Sequence, residues 1–139
     1  MRVIDIHAHL RPQCLMRAVD SGRDWHGIRL ERDERGGEVL VAGDSRFPVL
    51  SQYRWNVEQR LAGMDALGVN VHVLAGHPPL FDYQIPAEAA IAICRETNDE
   101  IAEMTRAYPN RLAGIAVLPM QDLKAAIAEM GRTVGALGF

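Results

Sequence analysis

The sequence predicts an α/β protein built on a parallel sheet, and three observations carry that prediction. Three short apolar runs, at residues 3–9, 69–75 and 112–118, have strand length and are rich in valine, isoleucine and leucine. Segments of helical periodicity separate them, each long enough for a crossover, which is the pattern of right-handed βαβ units. With 139 residues, 48% hydrophobic and 24% charged, the chain has the composition of an ordinary globular domain with room for one core.

The first run is Val3-Ile4-Asp5-Ile6-His7-Ala8-His9. Side chains alternate faces along a strand, so Asp5, His7 and His9 are expected on one face and Ile4, Ile6 and Ala8 on the other. Two imidazoles then point the same way, and a pair held on a rigid strand is half of a coordination sphere for zinc or a similar divalent ion. Spacing alone leaves metal binding and two idle histidines equally open. The context favours a metal, because an apolar strand with polar residues only at its C-terminal end is how the active face of a (β/α)8 barrel is built.

In chain order, Arg11-Pro12 stops this strand and residues 13–18 can form a short helix before Asp20-Ser21-Gly22 breaks it. Residues 28–32 and 38–42 flank a glycine-containing loop and read as a hairpin, an excursion from the core. The Arg46-Phe47-Pro48-Val49 stretch, with Tyr53 and Trp55, is too irregular to assign to an element. Asn56, with Gln59 three residues on, predicts a capped helix ending at Gly68. Residues 69–75 form the second core strand, closed by Gly76-His77-Pro78-Pro79. Pro86 opens a long helix to about Ala107, with Ala90, Ile91, Cys94, Ile101 and Met104 at core spacing. Leu112 to Leu118 is the third strand, and Asp122 caps a helix whose expected inner stripe is Ala126, Ile127, Met130 and Val134.

Composition excludes several classes. A formal net charge of -3 and a pI near 5.9 provide no excess positive field for nucleic acid or an anionic membrane. Cys14 and Cys94 have neither zinc-module spacing nor the number for a disulfide framework. No stretch approaches membrane-spanning length, and the N-terminus enters a strand without a leader pattern, so the expected location is the cytoplasm.

IDIHAHL from Ile4, RLAGMDALGVNVHVLA from Arg60, CRETND from Cys94 and YPNRLAGIAVLPMQDLKAAIAEMGRTVGALGF from Tyr108 together resemble the amidohydrolase-2 branch of the amidohydrolase superfamily. The nearest subgroup resembles aminocarboxymuconate-semialdehyde decarboxylase. The resemblance implies a (β/α)8 barrel with one catalytic divalent metal, most often zinc, held by His7 and His9. A third histidine and an aspartate complete the site in that family, on barrel strands that would follow Phe139. A complete barrel needs ~250 residues. Residues 1–139 are therefore expected to be the N-terminal part of such a barrel, about three βα units, with residues from about 23 to 50 as a hairpin insertion.

Four further residues are candidates for substrate binding. Arg46 lies in a stretch where the subgroup carries an arginine able to grip a carboxylate in bidentate fashion, although here the order is Arg-Phe-Pro-Val rather than Phe-Arg-Pro-Val. His77 follows the second strand at its C-terminal end, on the catalytic side of a barrel. Phe81 and Tyr83 can line the pocket or pack its rim. His72, inside the second strand, reads as a structural histidine, and His26, in the excursion, is singled out by nothing beyond its residue type.

The activity the resemblance implies is non-oxidative decarboxylation of a small unsaturated or aromatic carboxylic acid. The metal would act as Lewis acid or through its bound water. A metal-dependent hydrolase or hydratase is the alternative, because fold and first ligands are shared and later residues set the reaction. A non-catalytic half-barrel interaction fragment is the reading from a different class. Expected partners are a small-molecule carboxylate and further copies of the chain as a homo-oligomer.

Overall fold

The computed structural model describes residues 1–81 and 83–139. In chain order its elements are β1 (Ile4–Leu10), α1 (Gln13–Asp20), β2 (Ile28–Arg32), β3 (Glu38–Ala42), β4 (Ser45–Pro48), α2 (Val57–Ala66), β5 (Val71–Gly76), α3 (Ala87–Ala107), β6 (Leu112–Gly114) and α4 (Leu123–Arg132). Short 3₁₀ turns cover Ser51–Arg54 and Pro78–Leu80, and α4 runs on into a π-helical turn over Thr133–Leu137.

The parallel sheet is present, with strand order β1-β5-β6. Ala8 and Leu10 of β1, Leu74 of β5 and Leu112 of β6 bury their side chains with Met64 of α2 and Ile101 of α3. That layer of large apolar side chains, each worth about 1.5–3 kcal/mol when fully buried, fixes the helices behind the sheet. The capping box forms as expected. Gln59 N–H donates to Asn56 Oδ1 at 2.9 Å and Asn56 N–H to Gln59 Oε1 at 3.0 Å. Gly68, at φ +69°, supplies the left-handed turn that ends this helical segment.

The hairpin also forms, and β4 adds a third antiparallel strand from residues whose pattern assigned none. Arg46 and Phe47 pair with Val41 and Leu40, so β3 supplies the template that the local sequence lacks. This small sheet sits on α1 and α3 through Leu15, Met16, Trp25, Ile28, Leu40 and Ile93. Glu96 of α3 accepts hydrogen bonds from Trp25 Nε1 at 2.7 Å and pairs with His26 Nε2 at 2.8 Å, which pins the excursion to the barrel layer.

Three sequence expectations need correction. The first concerns β1, whose register shifts between Asp5 and Ala8: Asp5 lies opposite His72, and Ala8 opposite Leu74. Three steps on β1 thus match two on β5, a bulge that moves Asp5 onto the face of Ala8 and Leu10 and away from His7 and His9. The Asp5 carboxylate helps to make it, accepting from the His7 backbone N–H at 2.9 Å.

The second is the length of β6, which pairs only over Leu112–Gly114. Ile115 N–H still reaches the Leu74 carbonyl at 2.8 Å, but both backbone groups of Val117 bond to the Asn98 side chain instead of a strand. The third is the inner stripe of α4. Ala126 is buried, whereas Ile127, Met130 and Val134 are 56%, 49% and 61% exposed. Ala126, Glu129 and Thr133 face inward instead, because buried Asn98 on α3 presents a polar group that Glu129 satisfies at 2.8 Å. Among the described residues no helix is long and apolar enough to cross a membrane.

Candidate active site

His7 and His9 leave the C-terminal half of β1 with their Nε2 atoms 3.0 Å apart and their rings 4.5 Å between centroids, edge to face. Two imidazole ligands at about 2.0–2.1 Å from one ion, subtending ~90–110°, have nitrogens ~2.8–3.4 Å apart. The pair therefore fits two positions of a single coordination sphere. Burial, and then the neighbouring His7, lower the pKa of His9. A neutral imidazole is the form that ligates a metal. His9 Nδ1 is buried without a hydrogen-bond partner among the described residues. Among the described residues no three His, Cys, Asp or Glu side chains converge to hold a metal, so these two histidines make a partial site.

The helix side of β1 is braced by residues that spacing did not single out for this role. Arg60 of α2 donates from Nη2 to the His9 carbonyl at 2.9 Å and approaches His72 Nδ1 at 3.4 Å with Nη1. His72 Nε2 lies 3.6 Å from Asp5 Oδ2. Burial first, then the Arg60 charge, lowers the His72 pKa, so this histidine is a neutral link between Asp5 and Arg60. His72 is tied between Asp5 and Arg60, and this network holds the His9 backbone from behind.

His77 follows β5, and its backbone N–H donates to the Leu10 carbonyl at 2.9 Å, tying the loop to the end of β1. Its ring stands 5.5 Å from His9 and 5.0 Å from Tyr53, between centroids. Burial, then the charges of Arg11 and His9, push its pKa down to about 4, so it is uncharged at neutral pH. Arg11, three residues from Ala8, stacks on Tyr53 with Cζ 3.9 Å from the ring centroid. Arg11 is 3% exposed, and Nε and Nη1 have no hydrogen-bond partner. In sequence Arg11 reads only as a strand stop and Tyr53 as part of an irregular segment. The available signal was a charged residue placed two after the second histidine.

The other candidates separate. Phe81 and Tyr83 line a cavity of 460 Å³ together with Gly76, Cys94, Val117 and Met120, at the same end of the sheet as His77. Arg46 is on β4, its Nη1 paired with Glu31 at 2.8 Å, and no described contact joins it to the histidines. Cys14 and Cys94 are free thiols raised to about 12, first by burial, and at neutral pH they are neither nucleophiles nor anionic ligands.

An α/β layer with two convergent imidazoles, a neutral histidine and a buried cation at the C-terminal strand ends is the arrangement of the active face of a (β/α)8 barrel. A family model described as amidohydrolase matches residues 4–139, and the chain belongs to that family. It supplies about the first three βα units of the (β/α)8 barrel, with the hairpin sheet inserted between β1 and α2. The chain is 30% identical over 134 residues to a 2-amino-3-carboxymuconate-6-semialdehyde decarboxylase of Caenorhabditis elegans, covering 96% of this chain and 33% of the relative. The chain thus spans about a third of that relative's length.

Two solved structures are similar in fold. The 5-carboxyvanillate decarboxylase of Sphingomonas paucimobilis superimposes with a TM-score of 0.68 at 26% identity, over 98% of this chain and 40% of that one. The dihydroxybenzoic acid decarboxylase of Polaromonas sp. JS666, solved with manganese and the inhibitor 2-nitroresorcinol, gives a TM-score of 0.67 at 24% identity, over 100% and 37%.

Proposed function

We propose that the protein to which residues 1–139 belong is a metal-dependent, non-oxidative decarboxylase acting on a small unsaturated or aromatic carboxylic acid. Its N-terminal barrel portion is this chain, with the hairpin as an insertion. The observation that carries the proposal is the convergence of His7 and His9 Nε2 at 3.0 Å at the C-terminal end of β1. Relatives named as decarboxylases of carboxylic acids support the reaction type.

His7 and His9 would hold one divalent ion, zinc in our reading, and the ion would supply Lewis acidity toward an oxygen of the substrate. The chain's own residues do the rest of what is visible. Arg60 fixes the His9 carbonyl, so the ligand nitrogen is positioned by the sheet rather than by a mobile loop. His77, neutral at working pH, presents an uncharged imidazole edge beside His9 without repelling a cation bound there. The cavity bordered by Phe81 and Tyr83 offers apolar walls to an unsaturated or aromatic skeleton. In the reaction the bond between the carboxylate carbon and its neighbour breaks. Carbon dioxide leaves, and the electron pair stays on the substrate carbon, which takes a proton.

Elemental analysis and a carbon dioxide assay on the full-length protein test this. We expect about one divalent ion per subunit, lost when His7→Ala and His9→Ala are combined, and carbon dioxide as product. Unchanged metal in the double variant removes the proposed ligands. Release of an amine or alcohol without carbon dioxide moves the reaction to hydrolysis.

A further inference from the structure

A planar guanidinium stacked on an aromatic ring uses its face and leaves its edge N–H groups free for an anion. Arg11 is in that state. Its Cζ lies 3.9 Å over the Tyr53 ring, and its Nε and Nη1 are buried with no acceptor. No carboxylate pairs with it among the described residues. An unpaired buried cation is costly, because neither water nor a counter-ion replaces its lost solvation. Such a group is stable in a fold that supplies an anion at work.

Position narrows the anion. Arg11 is two residues beyond His9, at the end of the sheet where barrel ligands bind, and close enough to His77 for its charge to be felt there. Arg60, the neighbouring arginine, is occupied, holding the His9 carbonyl from the helix side, and Arg46 is paired with Glu31 on the hairpin, away from the histidines. Tyr53, in the 3₁₀ turn that follows the hairpin insertion, completes this cluster, stacked under Arg11 and 5.0 Å from the His77 ring.

We propose that Arg11, shelved on Tyr53 beside His77, grips a carboxylate of the substrate through guanidinium N–H groups that no protein acceptor takes. The assignment rests on the reading of the substrate as a carboxylic acid. It transfers the carboxylate-binding role from Arg46, where sequence resemblance put it, to a residue of the β1 end. Charge-assisted hydrogen bonds of this kind orient a planar anion as well as bind it.

The test is calorimetric binding of benzoate and of its neutral counterpart benzamide to full-length, metal-loaded protein, with metal content measured for each variant. Wild type is expected to prefer benzoate. Arg11→Met should lose that preference by ~10-fold or more at unchanged metal content, and Arg11→Lys should keep part of it. Should Arg11→Met fail to fold, Arg11→Lys and Tyr53→Leu decide, both with a weakened benzoate preference. A wild type indifferent between the two probes overturns the proposal. So does a preference that survives in Arg11→Met, which would place the carboxylate on the metal or pair Arg11 with a carboxylate from elsewhere in the protein. If the carbon dioxide assay fails while the Arg11 effect holds, the reaction assignment falls and the anion clamp stands.

Discussion

Gly76 is the last residue of β5 and immediately precedes His77, and its lack of a side chain is what lets the pocket wall close there. A Cβ at this position would lie 2.6 Å from Phe81 Cε2 and 2.7 Å from Val117 Cγ2. Both contacts are far inside van der Waals separation, so the Phe81 ring or the Val117 side chain would have to move. Gly76→Ala is therefore expected to destabilise the full-length protein by ~1–3 kcal/mol, as overpacked sites do. Denaturant unfolding measures it, and a loss below ~0.5 kcal/mol would mean that the ring yields without strain. The site residues divide at the same scale. His7 and His9 were legible because their spacing is local, and His77 because it ends a strand. Arg11 and Tyr53 were not, since what matters about them is a stacking contact between residues 42 positions apart.

Between elements, Asn98 joins three. Its side chain donates to the Val117 carbonyl and to Glu129 Oε1 at 2.8 Å each, and accepts from the Val117 N–H at 2.8 Å. The CRETND segment thus brackets the extension of β6 and anchors α4 against α3. Burial opposes the Glu129 charge, yet hydrogen bonds from Arg132 and Asn98 keep its carboxyl below the usual range. Asn98→Ala removes all three bonds and leaves buried polar groups without partners. A stability loss of ~2–4 kcal/mol is expected by thermal or chemical denaturation. A near-neutral result would show that water replaces the amide. The same network explains the misassigned α4 stripe: counting apolar residues by helical period finds a real face, but a polar group waiting on α3 decides which face turns inward.

For the molecule as a whole, the 139-residue chain carries more apolar surface than one compact layer hides. Leu123, Ile127, Met130 and Val134 form one exposed row along α4 and the turn that continues it, and Ile6 on β1 and Ile115 just after β6 are 74% and 49% exposed. Val71 of β5 is buried, at 8% exposure, although the sheet is open. β1 and β6 are the outer strands of the three-stranded sheet in this chain, and each is paired on one side only among the described residues. Open edges beside apolar patches favour association. Residues 1–139 produced alone are expected to be catalytically inactive and to self-associate or bind ANS. Light scattering with thermal denaturation checks this, and a monomeric, ANS-negative species with a cooperative melt would refute it.

By itself the sequence determined the parallel α/β order, the hairpin, the capped start of α2 and the paired histidines. All of these depend on period, caps and spacing within a few residues, where local sterics and hydrogen bonds suffice. Tertiary structure alone decided the rest. It set the bulge that separates Asp5 from His7 and His9, the pairing that made β4 a strand, and the inward face of α4. It also left Arg11 as an unpaired cation beside the histidines. Each of these follows from which partner a backbone or polar group finds across the fold, and a partner distant in sequence leaves no trace in the local pattern.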